Sequence, residues 1–428
     1  MKEKLWTKDW FGAAAFTLVF IILAFGIFRN AFDGLERYTY DLGVKARGGD
    51  PAPNIAVIAI DDQSIANLGR WPWPRNLHAQ MIELLRQGGA HVIGNTVFYS
   101  EAQQDPGLRY INEVYNQLAA SPLATSIPGE ITSFSAILDD AGQRSPQIKG
   151  VADSFRQSAL MTQYTPAVNA LAAKLREARA QLSADNVLSQ SFAAQGRVVI
   201  PMLFDIDRST GEPAPALPDY VQRSTLANVL DPNSSGASPL PAINPQVPVQ
   251  ELGAVAAGIG HLNDTPDPDG AVRVEPLVLR YENTLVPSFA LMVALRSLDV
   301  NPADVEVRLG EGIAIPKKGI EIATDENLLM YTKYYSDHGG QPAFPVDSFY
   351  DVLAHKIPAS KYKGKIVLIG ATANGVGTTF PTPIANVTSP VVALAHKVSS
   401  ILQQNFFTRP AWAGRRDDPG LFLERRAI

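Results

Sequence analysis

The chain has no cysteine in 428 residues, which excludes a disulfide framework and thiolate metal sites. Histidine is scarce as well, with six in all, and no His-Glu-x-x-His run occurs, so a zincin-type centre is excluded. No serine sits in a recognisable nucleophile elbow. Positive charge is not in excess: 37 Lys+Arg against 42 Asp+Glu gives a net charge of −5, which argues against general affinity for nucleic acid. Repeats at solenoid periods are lacking. The glycine-rich run Gly370–Thr378 follows a strand pattern but contains no lysine, so it cannot be a Walker A loop, and ATP hydrolysis is not expected.

A long uncharged run is present. Trp10 to Phe28 is 19 residues without a charge, preceded by Lys2, Lys4 and Lys8. As a helix it would extend about 28 Å, close to the ~30 Å of a bilayer core. It exceeds the apolar segment of a typical signal peptide, and Phe28-Arg29-Asn30 offers no small-residue cleavage site. The expectation is an uncleaved transmembrane helix over 10–28, after an N-terminus at 1–9. Arg29, Arg37, Lys45 and Arg47 follow it, so positive charge is nearly balanced across the run and does not set orientation.

The richest stretch is Asn54–Arg75. Six apolar residues in a row, Ile55 to Ile60, fit a strand covered on both faces, as in parallel sheets. Asp61 and Asp62 follow at the end of that strand, where open α/β sheets bind ligands. Gly69-Arg70-Trp71-Pro72-Trp73-Pro74-Arg75 then leads into a helix with Leu77, Met81, Leu84 and Leu85 on one face. His91–Phe98 is a second buried strand, completing a βαβ unit.

The rest keeps an α/β rhythm. Asp33–Arg47 predicts a short helix entering the domain. Residues 100–165 are polar and mixed, an insertion over a sheet edge. Pro166 starts an amphipathic helix to Leu182, Asp185 is placed to cap a further helix ending at Gly196, and Val198–Phe204 is a strand. Residues 205–253 hold many prolines and read as loop. Strands are expected at Gly258–Leu262, Arg273–Tyr281, Val305–Leu309, Ile313–Ile322, Leu328–Tyr334 and Lys365–Gly370. Helices are expected at Ser288–Leu298, Asp347–Leu353 and Pro390–Gln404. The fold class is therefore α/β, a mixed, largely parallel sheet with flanking helices behind one N-terminal transmembrane helix.

The chemistry stays open between readings. Asp61 and Asp62 could bind a cation or a polar ligand, or one could cap the next turn while the other pairs with Arg70 or Arg75. Adjacent carboxylates at a strand end point apart, which disfavours a shared catalytic atom. Trp71 and Trp73 could stack on a flat ligand with Arg75 holding an anion, or plug the sheet end. Asn263, Asp264, Asp267 and Asp269 before Gly270 lack EF-hand spacing and fit an acidic β-turn. His261 and His396 read as core or interface residues rather than ligands.

In order, the chain carries Ile60-Asp61-Asp62, Ser64 and Gly69–Arg75. Gly260-His261-Leu262-Asn263, Asp267-Pro268-Asp269-Gly270, Arg273 and Pro287-Ser288 come next. Lys365–Thr372, Pro383 and His396 complete the series. This resembles the second CHASE-type family, the extracellular sensor domains of bacterial cyclases, histidine kinases and serine/threonine kinases. The resemblance implies a periplasmic sensor domain over 33–412, anchored in the inner membrane by one helix. Its site would draw on Asp61, Asp62, Trp71, Trp73, Arg75, Asn95 and Thr372. Asn95 departs from the pattern, since relatives more often carry Asp there, and this counts against a metal. No cofactor is expected. The partners implied are a small-molecule or protein signal, the membrane and a second copy of the chain. Such domains are usually followed by further transmembrane helices and an output module, whereas 413–428 reads as a short polar tail, as a truncated gene would leave. Two other classes stay open: a periplasmic enzyme using Asp61, Asp62 and His261, and a module docking through the Trp71–Trp73 edge or the Pro-rich 205–253 segment.

Overall fold

The computed structural model describes residues 9–22, 29–103, 106–207, 214–231, 236–337 and 342–408. Its centre is a seven-stranded sheet. The strands are β1 (Ile55–Ile60), β2 (Val92–Asn95), β3 (Val198–Asp205), β4 (Ile243–Gln246), β5 (Gly258–His261), β6 (Val346–Ser348) and β7 (Ile366–Ala371). In space they run β6-β1-β7-β2-β3, and β3 then pairs with β5 and, farther along, with β4. Every pairing is parallel except β3–β4. The mixed, largely parallel sheet is thus as expected. The βαβ unit from β1 to β2 exists, but β7 slots between its two strands, pairing Ile55–Ile60 with Ile366–Ala371 on one side and Val92–Asn95 on the other.

The apolar runs follow from burial on two faces. Ile55, Val57, Val92, Val199, Ile366 and Leu368 pack under two helices, α11 (Phe289–Ser297) and α12 (Pro390–Gln403). Ile58, Ile60, Ile93, Val198, Ile200, Val367 and Ile369 face α4 (Arg75–Gln87) and α10 (Ala184–Gln195). The alternation along each strand is the period of two that a pleated chain imposes. Close approach of α11 depends on Gly260 in β5, where an added Cβ would lie 2.7 Å from backbone atoms of Phe289.

Between β2 and β3 the chain leaves the sheet as a run of helices. These are α5 (Pro106–Ala120), α6 (Ile127–Arg144), α7 (Pro146–Gln157), α8 (Ala159–Thr162) and α9 (Tyr164–Leu182). The expected insertion is therefore helical and extends to residue 182. Asp185 does not cap α10: Ser183 does, accepting from the Asn186 N–H. Residues 205–253 also hold more order than their prolines suggest. Asn228–Leu230 pairs in parallel with Glu306–Arg308, and Leu240–Pro241 with Leu279 and Arg280. The helix expected at Asp347–Leu353 starts later: Asp347 and Ser348 belong with Val346 to the edge strand β6, and the short helix is Phe349–Leu353.

Among the described residues two helices precede β1: α1 (Asp9–Ile22) and α2 (Arg29–Ala46). No helix among the described residues is long and apolar enough to cross a membrane. The expected span 10–28 is described only to Ile22, and residues 23–28 lie outside the described residues, as does the tail 413–428.

Candidate functional site

The strand-end residues singled out by sequence do gather at the C-terminal ends of β1, β7 and β2, but most are engaged by other groups of the domain. Asp61 N-caps α3 (Asp62–Leu68), accepting from the Ser64 N–H at 2.8 Å and from the Ser348 hydroxyl at 2.9 Å. Asp62 points away and pairs with neither Arg70 nor Arg75: it accepts from the backbone N–H of Asn374 at 3.1 Å. Thr372 sits half-buried beside it, its backbone N–H donating to the Ile60 carbonyl at 3.0 Å.

Trp73 is only 5 % exposed, and its indole N–H donates to the Gly69 carbonyl at 2.8 Å. Its ring packs against Phe349 at 5.1 Å and Trp71 at 5.2 Å, so the aromatic pair closes this end of the sheet. Arg75 is buried; its guanidinium meets the Asp185 carboxylate and the Glu101 carbonyl and lies over the Tyr99 ring. Asn95 donates to the Tyr99 hydroxyl at 2.8 Å and accepts from the Val97 N–H. Burial pushes His78, between these rings, down to about 4, with the Arg75 charge adding to the effect.

The acidic turn leads to a different place. Gly270, at φ 80°, closes a β-turn with its N–H on the Asp267 carbonyl at 2.7 Å. The turn delivers Asp267 and Asp269 to Arg273. Arg273 also takes Asp41 from α2, Nε and Nη2 each 2.8 Å from a carboxylate oxygen. Asp267 accepts from Nη1, and Asp269 from Nη1 and Nη2, each at 2.9 Å. All five N–H donors of the guanidinium are thus used on three carboxylates. Burial alone would lower the Arg273 pKa; its hydrogen bonds to Asp41, Asp269 and Asp267 more than offset it and raise it. Asp269 is held below its ordinary value, chiefly by its hydrogen bond to Arg273.

Further contacts seat α2 on the domain. The Tyr40 hydroxyl donates to the Thr332 carbonyl, and its ring packs on Tyr331 and Phe407. Val44 is buried against Tyr334 and Ala393. Lys333, only 1 % exposed, donates its ammonium to the Val44 carbonyl at 2.8 Å and to that of Arg47. A cation on the last carbonyls of a helix satisfies groups that have no partner within it and complements its dipole. Beside this seat lies a polar cleft of about 470 Å³, lined by Asp41, Lys45, Asp269 and Arg273 and by the loop 381–386.

A second cluster joins α12 to the segments on either side of that turn. Lys397 meets Glu275 at 2.7 Å and also Asp264. Burial alone would lower the Lys397 pKa, but the two carboxylates raise it on balance. His396 is a satisfied core residue, accepting from the Tyr335 N–H at 3.1 Å. His261 is fully buried and neither ring nitrogen has a hydrogen-bond partner. Asn263 pairs with both backbone groups of Phe204, extending β3 by a side chain. Among the described residues no group of acidic or imidazole side chains is arranged to hold a metal ion.

Sequence reasoning found the acidic turn and Arg273 but not their partner. Asp41 lies in a helix with an ordinary charged face, and nothing in its local pattern marks it. No curated protein and no solved structure matches the chain significantly. A family model described as the CHASE2 domain matches residues 14–422. With nearly the whole length matched, the chain belongs to the CHASE2 family of extracellular sensor domains.

Proposed function

We propose that the chain is the periplasmic sensor part of a membrane-anchored bacterial signalling protein, and that α2 carries the state of the domain toward the membrane. The observation that carries this reading is the seating of α2. The helix directly after the uncharged run 10–28 is joined to the domain through Asp41–Arg273, Tyr40–Thr332 and Val44–Lys333. A ligand or partner that binds the seated and unseated arrangements with different affinity would shift their populations, and only that difference can drive a signal. Of the strand-end residues, Asp62, Trp71 and Thr372 keep exposed or half-exposed surface, and we assign them to ligand contact. Asp61, Trp73, Arg75 and Asn95 hold the shape of that surface. The family is one of sensors rather than catalysts, in keeping with a chain that transduces rather than turns over substrate.

A second reading, a module that docks another envelope protein, is favoured by the exposed apolar side chains of α6 and α7, Phe134, Ile137 and Val151 among them. In that case the protein partner is itself the signal or its carrier.

The test is hydrogen exchange across residues 29–46 in the full chain reconstituted in nanodiscs, for the native sequence and Asp41→Asn. Faster exchange in α2 with the central sheet unchanged supports the coupling. Unchanged exchange in α2 removes it.

A further inference from the structure

We propose that the chain binds a small phosphate-bearing solute where the helical excursion meets the domain, at a site unrelated to the α2 seat. A cleft of about 320 Å³ opens there between α5, α9 and the start of α10. Arg176 and Arg179 line it from α9, three residues apart and so on one side of the helix. Among the described residues no acidic side chain lines the cleft and neither guanidinium has a carboxylate partner. Arg179 is fixed in place by stacking on Tyr115, its guanidinium carbon 4.7 Å from the ring centre. A planar fork held by an aromatic face gives up less freedom on taking a tetrahedral anion than a free lysine would.

Three other features act in the same sense. Ser183, the N-cap of the 12-residue α10, and Asn186 in its first turn both line the cleft, which places the positive end of that helix dipole there. The acidic residue of that turn, Asp185, is turned away to Arg75 and to the Gln103 N–H, so its charge is already balanced. The side-chain oxygen of Asn112, another lining residue, is buried without a hydrogen-bond partner. That oxygen is closed to solvent, so a donor reaches it once the Asn112 side chain turns toward the cleft, and a hydroxyl carried beside the phosphate group would then supply one. The ligand class is therefore a phosphate monoester of a small hydroxylated compound.

The experiment is calorimetric titration of the full chain in detergent, at fixed ionic strength, with inorganic phosphate and with glycerol phosphate. Vesicles of phosphatidylglycerol serve as a separate arm for a lipid headgroup. The proposal expects saturable binding of both solutes, tighter for the ester. It also expects a loss of at least tenfold in Arg176→Gln and in Arg179→Gln with melting temperature unchanged. Arg176 is exposed, so its variant carries the test should Arg179→Gln unfold. Absence of saturable binding, binding indifferent to both substitutions, or binding to vesicles alone would overturn it.

Discussion

Arg273 presents Nε and Nη2 to the carboxylate of Asp41, 2.8 Å from each oxygen, across 232 residues of sequence. The contact ties the first helix of the domain to a turn whose own two carboxylates already grip the same guanidinium. One cation thus serves three anions, and the arrangement is sensitive to the loss of any of its members.

Removing the cation should cost more than removing one anion. Arg273→Met removes the guanidinium that Asp41, Asp267 and Asp269 share, and breaking a buried pair such as Arg273–Asp267 costs about 3–5 kcal/mol. Asp41→Asn leaves two carboxylates on the guanidinium and should cost about 1–2 kcal/mol. Urea unfolding of the two variants checks the order, and a larger loss for Asp41→Asn would contradict this account.

Acid should weaken the fold in the range where free histidine titrates. Burial first, then the nearby charge of Arg75, Lys397 or Lys333, lowers His78 to about 4 and His261 and His396 to about 3. In the unfolded chain each binds a proton near pH 6.5. Between that value and the folded one the unfolded state holds more protons, so stability is complete above about 6.5 and falls as pH drops. The slope is on the order of 1.4 kcal/mol per pH unit for each histidine. Denaturant midpoints at pH 8, 6 and 5 measure it, and His78→Phe should remove about a third of the slope.

The aromatic pair at the sheet end separates two roles by cost. Trp73→Ala empties a buried site and should destabilise by about 3–5 kcal/mol. Trp71 is partly exposed, so Trp71→Ala should cost less than about half of that. Equal effects on melting temperature would mean that Trp71 is as deeply structural as its neighbour.

Gly260 offers a steric test. An alanine Cβ there lies 2.7 Å from the backbone nitrogen and Cα of Phe289, and backbone cannot rotate out of the way. Gly260→Ala should cost about 1–3 kcal/mol or more. At Gly270, where nothing lies within 4 Å, the positive φ of 80° alone sets the penalty, and Gly270→Ala should cost less, about 1 kcal/mol. Unfolding midpoints that reverse this order would show that α11 can move off β5.

Much of this fold was legible because the strands are covered on both faces. Ile55–Ile60 and Lys365–Gly370 read as strands from their apolar runs, and the structure has strands at Ile55–Ile60 and Ile366–Ala371. Val346–Ser348 was not legible: three residues with an Asp and a Ser form the edge of the sheet, and only pairing with β1 makes them a strand. The helical excursion carries apolar residues on exposed faces, which blurs the periodicity that burial would sharpen. Asp185 looked like a cap because it stands near a helix start, but its carboxylate is drawn to Arg75 and leaves the cap to Ser183. The acidic turn was visible as a turn. Its role at α2 depends on Asp41, and long-range pairing of that kind leaves no local trace in one sequence.

The central claim is that the domain lies outside the cytoplasm, tethered through α2. The absence of cysteine makes the decisive measurement clean, since one introduced thiol is the only one in the chain. Val387 is 71 % exposed, so Val387→Cys should react with a membrane-impermeant maleimide in intact bacterial spheroplasts expressing the full chain. Labelling of intact spheroplasts, equal to that after lysis, is the result this account predicts. Labelling that appears only after lysis would place the domain inside and contradict it.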